Sequence, residues 1–187
     1  MNINNTQDKL LLTNQSTERL IFRKLEPGDF NNWLQFCEEQ SSLQHIWPGD
    51  EKTPFDKCTL WFDKVFYRYK NSLGGMNVII DKVTNEFIGQ CGLLIQKVDG
   101  EDELEIGYSL MPKQRGKGYA IEAAKKCRNF AFENNIANSI ISIIHPLNID
   151  SAKVAIANGM VLEKQTTYTG VTVNIFRIKK SEWLGCI

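Results

Sequence analysis

The segment of the sequence with the most chemical content runs from residue 107 to residue 124 and reads GYSLMPKQRGKGYAIEAA. A strand pattern ends at Pro112, and a helical pattern starts close to Gly116 and Gly118. The start of a helix presents unpaired backbone N–H groups and the positive end of the helix dipole, and glycine lets a ligand approach them closely. Because Arg115 and Lys117 add positive charge, the segment predicts a phosphate-type anion site. A tight turn with solvated basic side chains would give the same local pattern.

Two nucleotide-binding motifs do not fit this segment. A Walker loop needs Ser or Thr after its lysine, and here Lys117 is followed by Gly118. The dinucleotide fingerprint needs a third small residue where Ile121 stands. The anion site is therefore expected to belong to another class of ligand.

The residues from Arg115 to Ala120 do fit the pattern R-x-x-G-x-A, which resembles the acyl-coenzyme A signature of the GNAT superfamily of N-acetyltransferases. Further segments resemble the RimJ/RimL-type branch of that family in order and spacing, and together they span most of the chain. These segments are TERLIFRKLEPGD (17–29), FIGQCGL (87–93), ELEIGYSLMP (103–112), AFE (131–133) and HPLNIDSAKVAIANGM (145–160). A phosphate-binding protein unrelated to acyl transfer is then the weakest alternative.

The resemblance implies that acetyl-CoA is the co-substrate. Its pantetheine arm would lie in a gap of the sheet between the strands at 103–111 and 140–144, and Asn148 would contact that arm unless it is only a helix cap. Its pyrophosphate would bind the amides of the motif, which are those of Arg115, Gly116, Lys117, Gly118, Tyr119 and Ala120.

Acetyl transfer to an amine needs a base for the ammonium, a donor for the oxyanion and an acid for the departing thiolate. Strand alternation places Glu103, Glu105 and Gly107 on one face, opposite an apolar face, and a carboxylate there could simply face solvent. Glu105 is the candidate base because it matches the glutamate of the RimL-type E-I-G-Y segment. By resemblance, a backbone N–H near Leu110 or Met111 would stabilise the oxyanion.

Many GNAT enzymes carry a tyrosine seven residues after the asparagine, and it protonates the thiolate. That position is Ala155 here, so another group must act as the acid. Ser151 matches the serine of the RimL-type pattern and is the candidate donor. Water is the alternative, with Ser151 then only capping or packing the helix. The missing tyrosine also keeps open a module that binds acyl-CoA without turnover.

The acceptor is expected, by resemblance, to lie against the first two helices and the loop between them. Trp33, His45, Trp47 and Trp61 are the residues that could line this side, although each could equally be a packing aromatic. The acceptor itself would be a protein amino terminus, of the ribosomal-protein type, or a small amine.

The elements that must position these residues follow from the periodicity. The order is strand, two helices, three strands in a meander, helix, strand, helix and two strands, which predicts an α/β (α+β) fold with helices on the faces of a mixed sheet. The resemblance adds that the sheet, of about seven strands, is mostly antiparallel and splayed. Residues 1–187 are expected to form a single domain, with 1–16 as a partly ordered polar lead-in.

The composition excludes several partners. Lys and Arg total 22 against 22 Asp and Glu, so no long-range attraction to nucleic acid or an anionic membrane is predicted. The two histidines lack metal-ligand spacing, so no metal is expected, and the five cysteines are scattered. With no secretory pattern, we expect a cytoplasmic protein that is a monomer or a homodimer.

Overall fold

The computed structural model describes residues 9–45 and 52–184. Seven strands form one sheet in the order β1-β2-β3-β4-β5-β7-β6. The strands are β1 (Leu20–Lys24), β2 (Gly74–Asp81), β3 (Phe87–Val98), β4 (Glu101–Leu110), β5 (Ser139–Ile144), β6 (Val161–Tyr168) and β7 (Val171–Lys179).

The helices cover both faces of the sheet. They are α1 (Phe30–Glu38), α2 (Gln40–Leu43), α3 (Pro54–Lys70), α4 (Tyr119–Glu133), α5 (Ile149–Ala157) and α6 (Lys180–Leu184), with short 3-10 turns at Pro27–Asp29 and Pro112–Gln114. The predicted order of elements is confirmed, and α2 and α6 add to it. The short α2 is a single helical turn that buries Leu43. None of the helices in the described ranges is long and apolar enough to cross a bilayer.

The pairing of the strands confirms a mixed, mostly antiparallel sheet. Every neighbouring pair is antiparallel except β4 and β5, which run parallel and share a single registered pair, Glu105 with Ile141. Ser142 Oγ donates a hydrogen bond to the Ile106 carbonyl at 3.0 Å beside that pair. Beyond this point the two strands diverge, so the sheet is splayed where the sequence predicted it.

Two apolar layers enclose the sheet. On one face α4 and α5 pack on Leu104 and Ile106 of β4, as strand alternation predicted. On the other face α1 and α3 pack on β2 around Trp33 and Val78. The lead-in contributes to the first layer, because Leu12 is fully buried and its N–H donates to Asn77 Oδ1 at 3.1 Å. The segment predicted to be a polar lead-in thus supplies core contacts from its apolar residues.

The closed end of the gap is held by one guanidinium group. Arg177 of β7 donates to both carboxylate oxygens of Glu103 on β4, at 2.6 and 2.9 Å, and to Ser139 Oγ on β5 at 2.9 Å. It also pairs with Glu163 at 2.9 Å. The hydrogen bonds to Glu103 raise the pKa of Arg177. The largely buried Arg177–Glu103 pair therefore joins β4 to the β5–β7 half of the sheet. Backbone pairing between β4 and β5 contributes little to this join, because it is limited to one registered pair.

We predict that Glu103→Gln lowers the free energy of unfolding by about 2 kcal/mol, because it leaves a partly buried guanidinium with only the more exposed of its two carboxylate partners, Glu163. Urea denaturation monitored by circular dichroism measures this change.

Lys153→Met is the matched control, because it breaks the exposed Lys153–Asp150 pair and is expected to cost about 0.5 kcal/mol or less. A Glu103→Gln variant no less stable than this control would show that the Arg177 contacts do not hold the two halves together.

Candidate active site

The gap between β4 and β5 opens into a cleft of about 950 Å³. Tyr108 on β4 spans it, because its hydroxyl donates to the Ser151 carbonyl at the start of α5 at 2.7 Å. The cleft brings together most of the residues predicted from the sequence. Those that line it are His45, Trp61, Glu105, Leu110, Arg115, Gly116, Gly118, Ala120, Asn148 and Ser151.

The predicted anion loop lies at the mouth of this cleft. Gly116 and Gly118 have φ of 75° and 83°, a left-handed conformation that favours glycine, and α4 begins at Tyr119. The first backbone hydrogen bond of the helix runs from Glu122 N to Gly118 O, so the amides just before Glu122 have no intrahelical acceptor. A Cβ built on Gly116 would meet no atom within 4 Å, which leaves open space above the loop. The loop has both the donors and the room that a diphosphate needs.

The side chains of three motif residues do not face this space. Arg115 donates to the Leu110 carbonyl at 3.3 Å and to Ser42 Oγ, so its guanidinium ties the loop to α2. Lys117 Nζ donates to Gln114 Oε1 at 2.8 Å. Tyr119 is outside the cleft lining, and its hydroxyl donates to Asp81 Oδ2 at 2.8 Å. These contacts do not support the prediction that the side chains of Arg115 and Lys117 bind phosphate directly. The left-handed glycines and the free amides at the start of α4 do support the prediction of backbone donors.

Arg19, at the start of β1, supplies a positive charge that the sequence analysis did not identify. Its Nε donates to Glu122 Oε2 at 2.6 Å, and its Nη1 donates to the Lys117 carbonyl at 3.0 Å. Its guanidinium also lies over the ring of Tyr119, 4.4 Å from the centroid. Arg19 thus holds the loop from outside, 98 residues away in sequence from Lys117. No local pattern in the sequence marks such a contact.

Glu105 projects from β4 at the point where the strands part. Its Oε2 accepts a hydrogen bond from Gln96 Nε2 at 2.7 Å. Burial raises the pKa of Glu105, while the Gln96 hydrogen bond, the Ile143 amide and the charges of Arg68 and Lys64 act against that rise. A carboxylate with a raised pKa inside a cleft is a chemically apt general base.

The two backbone amides predicted as oxyanion donors point in different directions. Met111 N donates to the Ile88 carbonyl on β3 at 3.0 Å, and Met111 is not part of the cleft lining. Because successive amides of a strand alternate between its two edges, the Leu110 N–H faces the gap instead. The geometry therefore offers Leu110, and not Met111, to a group bound in the cleft.

Asn148 and Ser151 begin α5 on the far wall of the cleft. Asn148 Oδ1 accepts from Ser151 N at 3.1 Å, so this residue is a helix cap as well as a cleft residue. Ala155 is buried in the core between α5 and the sheet. A side chain seven residues after Asn148 would therefore have to displace core packing to reach the cleft from this helix position.

The residues predicted for the acceptor side separate into different environments. Trp33 is fully buried and stacks on Phe36 with ring centroids 4.1 Å apart, so it belongs to the core and does not line the cleft. His45 lines the cleft and stacks on His145 at 5.1 Å; burial and the charge of His145 lower the pKa of His45. Trp47 lies outside the described residues.

The site as a whole offers backbone donors for an anion, a half-buried carboxylate and an apolar channel between them. Among residues 9–45 and 52–184, no group of three or more His, Cys, Asp or Glu side chains is placed to hold a metal ion. The arrangement suits a reaction in which a charged cofactor is bound at one end and a proton is removed at the other.

Two relatives show how far the similarity in sequence extends. The chain is 39% identical over 80 residues to "Uncharacterized protein YkkB" of Bacillus subtilis (strain 168), a match covering 43% of this chain and 46% of that protein. It is 29% identical over 181 residues to "Uncharacterized N-acetyltransferase p20" of Bacillus licheniformis, covering 90% of this chain and 97% of that protein. The second match thus spans nearly the whole of both proteins.

The same fold occurs in a solved structure and is described by a family model. The crystal structure of an acetyltransferase from Agrobacterium tumefaciens str. C58 superposes with a TM-score of 0.74 at 26% identity, covering 88% of this chain and 92% of the other. The family model described as "Acetyltransferase (GNAT) domain" matches residues 19–161, which is most of the chain. The chain therefore belongs to the GNAT acetyltransferase family.

Proposed function

We propose that this protein transfers the acetyl group of acetyl-CoA to a primary amine by direct attack of the amine on the thioester. The observation that carries the proposal is one cleft that joins the open N-terminus of α4 to the half-buried Glu105 through the gap between β4 and β5. Acetyl-CoA, as co-substrate, would supply the activated acetyl group. The expected cytoplasmic location belongs to the same proposal.

The cofactor end of the cleft would work mainly through the backbone. The amides of Gly116 to Ala120 would bind the pyrophosphate, with the dipole of α4 and the nearby charge of Arg19 adding to the attraction. In the gap, the Leu110 N–H would pair with an oxygen of the bound co-substrate. Asn148 uses its oxygen as a cap, which leaves its amide nitrogen to face the pantetheine arm.

The proton steps would belong to Glu105 and Ser151. A free alkyl amine is mostly protonated near neutral pH, so a base must remove a proton before attack. Glu105, directly or through a water, is the half-buried carboxylate in the cleft suited to this role. Ser151 would protonate the leaving thiolate. Water is the alternative donor, and Tyr108, whose hydroxyl reaches the Ser151 carbonyl from β4, is a third candidate.

The finer placement in the RimJ/RimL-type branch is also a proposal, with a protein amino terminus or a small amine as acceptor. A second candidate function is an acyl-CoA-binding module without turnover. The burial of Ala155 supports it, because the tyrosine acid of many relatives has no counterpart at that position. Turnover with any amine would exclude it.

The first prediction concerns the loop. Gly118→Val should abolish detectable binding of acetyl-CoA, because the side chain strains a left-handed backbone and its Cβ would lie 3.3 Å from Nη2 of Arg19, the residue that holds the loop. Isothermal titration calorimetry measures the affinity directly.

Gly170→Val is the control for backbone strain, because Gly170 has φ of 84° in the β6–β7 turn and a Cβ built there meets no atom within 4 Å. The two variants share the backbone strain but not the site. Equal binding by the two variants would argue against an anion site at Gly118.

The second prediction concerns the base. Glu105→Gln should keep acetyl-CoA binding and slow transfer by about 100-fold or more. Because the pKa of Glu105 is raised, wild-type kcat/KM should fall as the pH drops through that raised value, where the carboxylate becomes protonated. In the variant, kcat/KM should no longer show this fall. It should still show the pH dependence that comes from titration of the substrate amine.

A thiol-release assay across a pH series measures both effects, with Glu101→Gln on the exposed start of β4 as control. Unchanged turnover in Glu105→Gln would remove Glu105 from the mechanism.

The third prediction concerns the acid. Ser151→Ala should lower kcat by about 100-fold with little change in KM, because the thiolate loses its proton donor. Tyr108→Phe is the comparison, since it removes the hydroxyl that contacts the Ser151 carbonyl but leaves the serine side chain intact. Loss of kcat only in Tyr108→Phe would assign the proton to Tyr108, and loss in neither would assign it to water.

A further inference from the structure

The side of the cleft opposite α5 carries two positive charges that the proposed transfer reaction does not require. We call this side the acceptor wall; it consists of cleft residues from α1, α3, β2 and β3. Its apolar part is Phe36, Trp61, Val65, Met76 and Leu94, and its polar part is Lys64, Arg68 and Gln96. Glu105 lies at the edge of this wall, so a substrate seated on it would present its amine to the proposed base.

Arg68 has an unused donor in this wall. The side chain is buried, with 7% of the residue exposed, and its Nη2 donates to the Leu73 carbonyl at 2.8 Å and the Ile95 carbonyl at 2.6 Å. Its Nε is buried and has no hydrogen-bond partner among the described residues. Because buried polar groups are normally paired, an unpaired guanidinium donor beside a cleft points to an anionic or acceptor group of a ligand.

Lys64 lies one helical turn before Arg68 on the same face of α3. It makes no hydrogen bond or ion pair with the described residues. Partial desolvation and the charge of Arg68 lower the pKa of Lys64, while Glu105 acts in the opposite direction. Two cations thus approach each other on one helix face, an arrangement that a bound anion would relieve.

Glu105 attracts both cations but brings one negative charge against two positive charges. In the described chain it forms no ion pair with either cation, and it accepts its side-chain hydrogen bond from Gln96. The polar part of the acceptor wall therefore keeps an excess of positive charge beside the carboxylate that would activate the amine. A polycation would be repelled at this position, and an ordinary peptide amino terminus would bring no negative charge to it.

We propose that the acceptor is a small primary amine that carries a carboxylate, of the amino acid class, and that Lys64 and Arg68 bind this carboxylate. The apolar part of the wall would contact an apolar side chain of the acceptor. This inference rests on the proposed acetyl transfer and specifies its substrate class. Arg68 also holds two backbone carbonyls of the fold, so Lys64 is the better position for a substitution.

The test compares phenylalanine with phenethylamine as acceptors at saturating acetyl-CoA. The two amines share an aromatic ring and a primary amine and differ in the carboxylate. We expect kcat/KM, expressed per free base, to be about tenfold or more higher for phenylalanine, the ratio that one charge-assisted contact supplies. Spermidine, as a polycation, should be a poorer acceptor than either.

Lys64→Gln should reduce the ratio of phenylalanine to phenethylamine, and Lys70→Gln, at the end of the same helix and outside the cleft, should keep it. Binding of phenylalanine measured by calorimetry should weaken in Lys64→Gln by a comparable factor.

Preferred acetylation of spermidine, of phenethylamine or of a peptide without acidic groups would overturn the carboxylate proposal while leaving acetyl transfer in place. An unchanged ratio in Lys64→Gln would also overturn it. Binding of acetyl-CoA without transfer to any amine would overturn the enzymatic function together with this inference.

Discussion

The structure depends on the divergence of two parallel strands. β4 and β5 share one registered pair at Glu105 and Ile141, and past it each strand loses its neighbour. A strand edge without a partner presents unpaired N–H and C=O groups, which are costly to bury unless something pairs with them. Here the unpaired edges of β4 and β5 line a cleft, so their free N–H and C=O groups are available as hydrogen-bond partners for a molecule in the cleft. Arg177 and Glu103 keep the other end closed, and the opening is therefore local.

Charge is distributed along this cleft in a definite order. At one end, the N-terminus of α4 carries a positive partial charge, and Arg19, which is paired with Glu122, holds the loop by a long-range contact. In the middle, a half-buried glutamate whose pKa is raised can take a proton. On the acceptor wall, Lys64 and Arg68 restore positive charge close to it. A formal net charge of zero for the whole chain conceals this order, because opposite charges cancel in the sum and not in space.

In the motif, the glycines act through their backbone conformation and Arg115 acts through its side chain. Gly116 and Gly118 contribute conformation and room, whereas Arg115 is used to join the loop to α2 and to the end of β4. The Arg115 side chain therefore fixes the position of the loop through contacts within the protein, and Arg19 does the same from the residue before β1.

The order of the elements, the face of β4 that carries Glu105 and the glycine-rich start of α4 could all be predicted from the sequence, because periodicity and φ preferences are local properties. The sequence also located the splay, through resemblance to a family whose membership the full match then established. The folded chain was needed to show which amide of Leu110 and Met111 faces the gap, that Trp33 is core, and that Arg19 and Arg68 lie near the cleft. Those outcomes depend on strand partners and on packing between segments as much as 103 residues apart, and no local pattern encodes such contacts.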